Sequence, residues 1–279
     1  MLRGILGRAL RRTGCTTPDH PCPAACLTPA ACTYSALFDP PLPSPLPHRL
    51  LGGSTHAPQP LIPLFPPPGA RDLAEGEPFS FTLRILGPLR PQPADRLRAA
   101  LEAYPAFPIG KDLEGRLVLD EIVQKLPAER PLALTPGAPG EGRLTVESET
   151  PIWLPAHGKL TAPDHVDFPG LFRHAYRRLT TLAALYGEVT PEDDALFHTL
   201  LPVAAKVTTT ARALRILRWE RLSEERGERH PMMGLDGRVA FAGPVGPFVP
   251  FFRAMELTHL GKAVSHGLGR VRVESVVEG

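Results

Sequence analysis

Residues 259–277 read HLGKAVSHGLGRVRVESVV, and their reading decides the fold. A basic turn comes first, with glycines at 261, 267 and 269 and cations at Lys262 and Arg270. A final strand, VRVESVV, follows directly. Glycine lets the backbone take positive φ and approach a neighbour or a ligand closely. Successive exposed N–H groups in such a turn can form a nest for an anion, to which Lys262 and Arg270 add charge.

Upstream, GPFVPFFRAMELTHL (Gly246 to Leu260) reads as a short helix despite Pro250. GLDGRVAFAG (Gly234 to Gly243) is a strand that follows a turn. VAAKVTTTARALRILRWERLS (Val203 to Ser223) has a β-branched start and then arginines. FPGLFRHAYRRLTTLAALYG (Phe168 to Gly187) is a helix whose Leu171, Phe172, Ala175, Leu179, Leu182 and Tyr186 share one face. Pro169 sits where a first helical turn tolerates proline. TPIWLPA (Thr150 to Ala156) reads as the strand that opens this set. Strand, helix, strand, strand, helix, glycine-rich turn, strand is a ferredoxin-like order.

The first half repeats part of that order. PFSFTLRILG (Pro78 to Gly87) alternates Phe79, Phe81, Leu83 and Ile85, as a half-buried strand does. PADRLRAALEAY (Pro93 to Tyr104) is helical, and GRLVLDEIVQ (Gly115 to Gln124) is a strand. The expected fold class is therefore α+β, with two tandem ferredoxin-like (RRM-like) domains. The expected boundaries are 1–127 for the first domain, 128–149 for a Pro- and Gly-rich linker, and 150–279 for the second domain.

Net charge is only +2, so an anionic partner must be met by a local patch. No run has the apolar length that crosses a membrane. The first residues, MLRGILGRALRRTGC, place Leu2, Ile5, Leu6, Ala9 and Leu10 on one helical face. Arg3, Arg8, Arg11 and Arg12 interrupt the apolar run, which argues against a signal peptide and for a cytoplasmic protein. From Asp39 to Gly69 proline excludes a regular helix or a central strand, and an extended excursion is expected.

All four cysteines, Cys15, Cys22, Cys26 and Cys32, fall in one short stretch with spacing C-x6-C-x3-C-x5-C. Four thiolates suit a tetrahedral structural zinc. Free thiols, or disulfides in an oxidising compartment, are the other readings of the same stretch. A catalytic metal is disfavoured, because four thiolates leave no open position.

Shape alone also explains a glycine-rich turn between a helix and a strand. An ATP-binding P-loop is excluded: Glu256 stands where its first glycine belongs, and Ala263 where it needs Ser or Thr. Arg212, Arg215, Arg218 and Arg221 recur every third residue, a run that is either a solvated face or a phosphate-binding one.

These residues resemble the RAMP superfamily of CRISPR-associated proteins, and within it the endoribonuclease family that processes precursor CRISPR RNA. The resemblance is carried by Arg177-Arg178 at the helix, W-x-R-x-S at Trp219 to Ser223, and G-x-x-G at Gly234 to Gly237. Its most specific part is H-x-G-K-x-x-x-x-G-x-G-R at His259 to Arg270. Weaker marks are R-G-x-x-G-x-x-L at Arg3 to Leu10 and an aromatic-Ser-x-x-Phe segment at Tyr34 to Phe38. The family has a strand before that first helix, so the resemblance implies either that Met1 is a late start or that the first domain here lacks its first strand.

The resemblance implies binding of CRISPR repeat RNA by the second domain. Arg177, Arg178, Arg212, Arg215, Arg218, Gly261, Lys262, His266, Gly267, Gly269 and Arg270 are the expected RNA-binding residues. It implies metal-independent cleavage, in which the 2′-hydroxyl attacks the adjacent phosphate to give a 2′,3′-cyclic phosphate and a 5′-hydroxyl. Histidine suits the acid and base roles near neutrality. His20, His48 and His56 are the alternative catalytic candidates. His174, between Arg173 and Arg177, is read as facing RNA or solvent, and His259 as turn packing or RNA contact. The competing function of the same fold is a non-catalytic RAMP subunit that holds crRNA beside other effector subunits. An unrelated RRM-like protein is disfavoured, since RRM motif aromatics are not evident in the candidate strands.

Overall fold

The computed structural model describes residues 2–15, 32–54, 56–66, 74–87, 91–103, 106–109, 115–123, 134–156, 158–187, 195–223 and 228–278. His20, Cys22 and Cys26 lie outside them, as do residues 128–133 of the expected linker. The chain divides into two compact units, Met1–Leu61 with Ile85–Arg130, and Ile62–Arg84 with Pro131–Gly279.

The chain begins with helix α1 (Leu2–Gly14) and the short helix α2 (Thr33–Phe38). The apolar spacing of α1 does what its period requires: Ile5, Leu6, Ala9 and Leu10 are buried. Gly7 faces α2, where an added Cβ would lie 3.3 Å from the Tyr34 ring. Strands β1 (Leu61–Leu64) and β2 (Thr82–Ile85) form a two-stranded sheet. Pro63 is tolerated there because a two-stranded ribbon has only edges. Helix α3 (Pro91–Ala103) packs on α1 and α2, and β3 (Ala106–Ile109) pairs antiparallel with β4 (Gly115–Val118).

The second unit carries a four-stranded antiparallel sheet. Its strands are β5 (Gly142–Ser148), β8 (Thr208–Ser223), β9 (Glu228–Gly243) and β10 (Val271–Val277), in the order β10-β5-β9-β8. The minor strands β6 (Pro155–Ala156) and β7 (Lys159–Leu160) pair with each other. Helices α4 (Phe168–Tyr186), α5 (Ala195–Ala204) and α6 (Val249–Thr258) complete it. Strand, helix, strand, strand, helix, strand with both edge strands returning in this order is the ferredoxin-like arrangement. The fold is α+β with antiparallel sheets, as the sequence implies.

Alternation in the strands sends Leu144, Val146, Val239, Phe241, Val271 and Val273 to the helix face, where all are buried. Opposite them sits an aromatic cluster of Phe168, Phe172, Phe248, Phe251 and Phe252, with ring centroids 4.8–5.6 Å apart among the pairs Phe168–Phe248, Phe172–Phe248 and Phe172–Phe251. Each such ring contributes about 1.5–3 kcal/mol through its buried area. Asp167 caps α4, its Oδ1 accepting from the Gly170 N–H at 2.8 Å, and Pro169 occupies the first turn.

Two expectations need correction. The strand that opens the second unit is Gly142–Ser148, inside the stretch 128–149 expected to be linker. Thr150–Ala156 is not that strand; it crosses the sheet end, bridging only at Ile152 with Leu235 and Trp153 with Lys262 before reaching β6. Prolines at 151 and 155 remove the donors that a sheet ladder needs, whereas Gly142–Ser148 has none. Helix α5, with Pro202 inside it, has no counterpart in the expected order.

Candidate nucleic-acid interface

The glycine turn is a tightly bonded loop. Leu260 N donates to Gly269 O at 2.7 Å, Lys262 N to Trp153 O at 2.9 Å, and Gly269 N to Pro151 O at 2.9 Å. His266 N and Gly267 N close a 3-10 turn onto Ala263 O and Val264 O. The buried Thr150 locks the exit: its Oγ1 donates to Gly267 O and accepts from Arg270 N, both at 2.9 Å. Those six amides are spent inward, so the expected anion nest of successive free N–H groups is not what the loop builds.

The glycines serve shape. Gly261 (φ 87°) and Gly269 (φ 77°) each take positive φ, and a Cβ would lie 2.4 Å from Trp153 O and 2.0 Å from Leu260 O respectively. At Gly267 a Cβ would press on the Phe65 ring at 3.1 Å. His259, which opens the turn, has φ 60° and ψ 157°, a region that favours glycine. It is fully buried, and its Nδ1 lies 3.1 Å from Leu268 O. Burial above all, then the nearby Arg178, Arg84 and Arg270, holds its pKa down to about 3 against the opposing bond to Leu268. The ring is neutral at physiological pH, with Nδ1–H donating to Leu268 O, so His259 is turn packing.

The cations fall into three environments. Arg173, Arg177 and Lys262 are exposed and surround His174. Burial is the main cause that lowers the pKa of His174, and Arg173, Arg177 and Lys262 lower it further. The helix arginines and the loop lysine therefore share one electrostatic neighbourhood. Arg178 is turned inward instead. Its Nε donates to Thr258 O at 2.6 Å, its Nη2 is buried without a partner, and burial lowers its pKa to about 10. Its place is in the frame of the site, where it ties α4 to the end of α6, rather than on the surface. Arg270 is ion-paired with Glu149 at 2.5 Å. His266 is half-buried.

The every-third arginines behave differently on a strand than on a helix. Side chains alternate with period two, so Arg212 and Arg218 point to one side of β8 and Arg215 to the other. Arg212 donates from Nη2 to Val166 O at 3.0 Å, and Arg215 pairs with Asp236 at 2.9 Å. Arg218 is exposed and has no ion pair among the described residues. The outer parts of β8 and β9, from Leu214 and Gly237 onward, run beyond the pairing with β5 as a two-stranded arm.

The catalytic candidates of the first unit are distinct in their bonding. His48 Nδ1 accepts from Leu50 N at 3.1 Å and caps a 3-10 turn. His56 is 65% exposed, with Nδ1 3.1 Å from Asp39 Oδ1. Cys15 follows the end of α1 and Cys32, buried, stands at the start of α2, and the two form no disulfide with each other. Among the described residues no group of three or more His, Cys, Asp or Glu is disposed to hold a metal, and no helix is long and apolar enough to cross a membrane.

Sequence reasoning missed Thr150 and Trp153, which the loop bonds from the opposing segment, and Asp39 beside His56. Their only signal is proximity in sequence to elements already singled out.

Comparison with known proteins follows the same division. The model of the CRISPR-associated endoribonuclease Cas6 family matches residues 146–271, and a model described as an N-terminal domain matches residues 1–149. A Cas6 product complex is similar with a TM-score of 0.55 at 13% identity, over 98% of this chain and 92% of that one. Another Cas6 product complex gives 0.43 at 16% identity, over 77% and 85%. Thermus thermophilus Cas6 gives 0.38 at 14% identity, over 49% and 55%. No curated protein matches the chain in sequence. The matched stretch contains the whole glycine turn: residues 146–271 are similar to the CRISPR-associated endoribonuclease Cas6 family, and the fold of the Cas6 product complex is shared along nearly the full length.

Proposed function

We propose that this chain binds CRISPR repeat RNA and cuts it by metal-independent attack of a 2′-hydroxyl on the adjacent phosphate. The observation that carries the reading is the coincidence of the family match, residues 146–271, with the turn and cations around Lys262. The RNA phosphates are held by Arg173, Arg177, Lys262 and Arg218, with Arg215 and Arg270 sharing theirs with Asp236 and Glu149. Gly261, Gly267, Gly269, His266, Arg212 and Arg178 act by shaping and anchoring that surface.

Of the candidate histidines, His56 has the bonding of a general base. Its Nδ1–H donates to Asp39, which fixes the tautomer that leaves Nε2 free to take a proton. Nε2 removes the proton of the 2′-hydroxyl, the 2′-oxygen bonds to phosphorus, and the bond to the 5′-oxygen breaks. A second group protonates that leaving oxygen, which yields a 2′,3′-cyclic phosphate and a 5′-hydroxyl. His48 and His20 are the alternatives for either role. We also propose that Cys15, Cys22, Cys26 and Cys32 hold a structural zinc outside the chemistry.

Single-turnover cleavage of repeat RNA by His56→Ala, His48→Ala and His20→Ala tests the assignment. Loss of a general base lowers the rate about 10²–10⁴-fold. Unchanged rates in all three variants contradict it, and binding without any cleavage by the wild type points to a non-catalytic crRNA-holding subunit.

A further inference from the structure

Strand β10 lies at one edge of the four-stranded sheet, with β5 as its only neighbour in the strand order. Glu278 N donates to Glu141 O, and Glu149 N to Arg270 O, both at the ends of the β10–β5 ladder. Antiparallel bonding alternates along a strand, so the even-numbered residues of β10 turn their backbone groups to β5. The odd-numbered residues, Val271, Val273, Ser275 and Val277, turn theirs outward. An outward row of N–H and C=O groups is a template for another strand.

At Val273 both outward groups are taken by side chains of α6. Val273 N donates to Glu256 Oε1 at 2.8 Å, and Val273 O accepts from Arg253 Nη1. Arg253 and Glu256 stand three residues apart on the helix and are paired with each other at 3.3 Å. They keep 46% and 31% of their side-chain surface in water, so neither needs the strand in order to be solvated. Past Val273 the edge opens. Among the described residues no side chain bonds the outward groups of Ser275 or Val277, and Val276 is 69% exposed.

We propose that Arg253 and Glu256 form a plug that keeps β10 from pairing edge to edge with the β10 of a second copy of this chain. The sequence of the strand is complementary to itself. A two-fold axis through Ser275 sets outward-facing Val273 against Val277 of the second copy, and Arg272 against its Glu278. Opposite charges directly across an antiparallel pair stabilise it, and this register makes that pair twice. The pairing needs the N–H and C=O of Val273, which are the two groups that the plug occupies. This inference is independent of the RNA reading.

The full-length Arg253→Ala/Glu256→Ala double variant is compared with the wild type by sedimentation equilibrium over a range of protein concentrations. The plug predicts that the average mass of the double variant rises above that of the wild type with concentration, toward twice the 30.2 kDa of one chain where the wild type is a monomer. Adding Ser275→Pro returns it to the wild-type value, because proline there removes an outward N–H and leaves the ladder to β5 intact. Glu256→Gln keeps an oxygen acceptor for Val273 N and leaves the mass unchanged. Should the double variant not fold, Glu256→Ala alone frees that N–H and carries the same two predictions. Equal masses for the plugless variant and the wild type at every concentration, or a rise that survives Ser275→Pro, overturn the proposal. A wild type that already associates and is separated by Ser275→Pro overturns it as well.

Discussion

The imidazole of His259 reaches across the glycine turn to the carbonyl oxygen of Leu268, 3.1 Å from Nδ1, and so fastens the two ends of the loop together. The residue keeps a backbone conformation that only glycine takes without cost, at φ 60° and ψ 157°. Such strain costs about 1–3 kcal/mol and persists where surrounding structure over-determines it. Here the buried ring and its bond to Leu268 supply that determination.

Because the folded pKa of His259 is about 3 and the unfolded value is about 6.5, the unfolded chain binds a proton that the folded chain refuses. This penalty is absent above about pH 6.5 and grows as pH falls toward 3. Stability is expected to drop by up to about 1.4 kcal/mol per pH unit in that window. His259→Asn keeps an amide donor and cannot titrate. Urea unfolding at several pH values should show the wild type losing stability relative to this variant as pH falls, and parallel curves contradict the assignment.

At Gly269 an added methyl meets backbone 2.0 Å away in a positive-φ turn, whereas at Gly158, also at positive φ, it meets nothing within 4 Å. Gly269→Ala should therefore cost about 3 kcal/mol or more and Gly158→Ala about 1 kcal/mol. Denaturant midpoints measure both. Equal losses at the two positions would mean that the close packing at Gly269 does not govern the turn.

Lys262 and Arg178 are expected to separate cleanly. Lys262→Ala with Arg270→Ala weakens RNA binding and flattens its salt dependence by about 0.7–0.9 per lost contact. Arg178→Ala leaves Thr258 O without its donor and lowers stability by about 1–3 kcal/mol, with little change in the salt slope. Filter binding across salt concentrations, paired with unfolding curves, checks both. Undiminished affinity in the Lys262/Arg270 double variant removes the turn from the interface.

The ferredoxin-like order of the second unit was legible because β10 and the long helix α4 carry clean periods and Pro169 marks a helix start. β5 was hidden by the Pro- and Gly-rich run before it, since three-dimensional pairing with β9 and β10, not local composition, decides that Gly142–Ser148 is a strand. The arginines at every third position were visible, but their split between two faces follows only once β8 is a strand. The turn itself was visible from its glycines. That its amides are spent on Pro151, Trp153 and Thr150 depends on a segment more than a hundred residues away, and no local pattern records it.

The cysteine loop yields a direct prediction. If Cys15, Cys22, Cys26 and Cys32 hold zinc, metal analysis of the purified chain finds about one zinc per molecule, and Cys32→Ser lowers that content and the melting temperature together. RNA cleavage should survive chelators that leave this zinc bound. Protein free of zinc at full stability removes the metal from the account.

The most direct test of the central claim is incubation of the purified chain with CRISPR repeat RNA in EDTA, with the product ends identified. The account predicts cleavage at one position, a 2′,3′-cyclic phosphate and a 5′-hydroxyl, and complete block by a single 2′-deoxy nucleotide at the cut site. Cleavage that persists on the deoxy substrate, or tight binding with no cleavage at all, would contradict it.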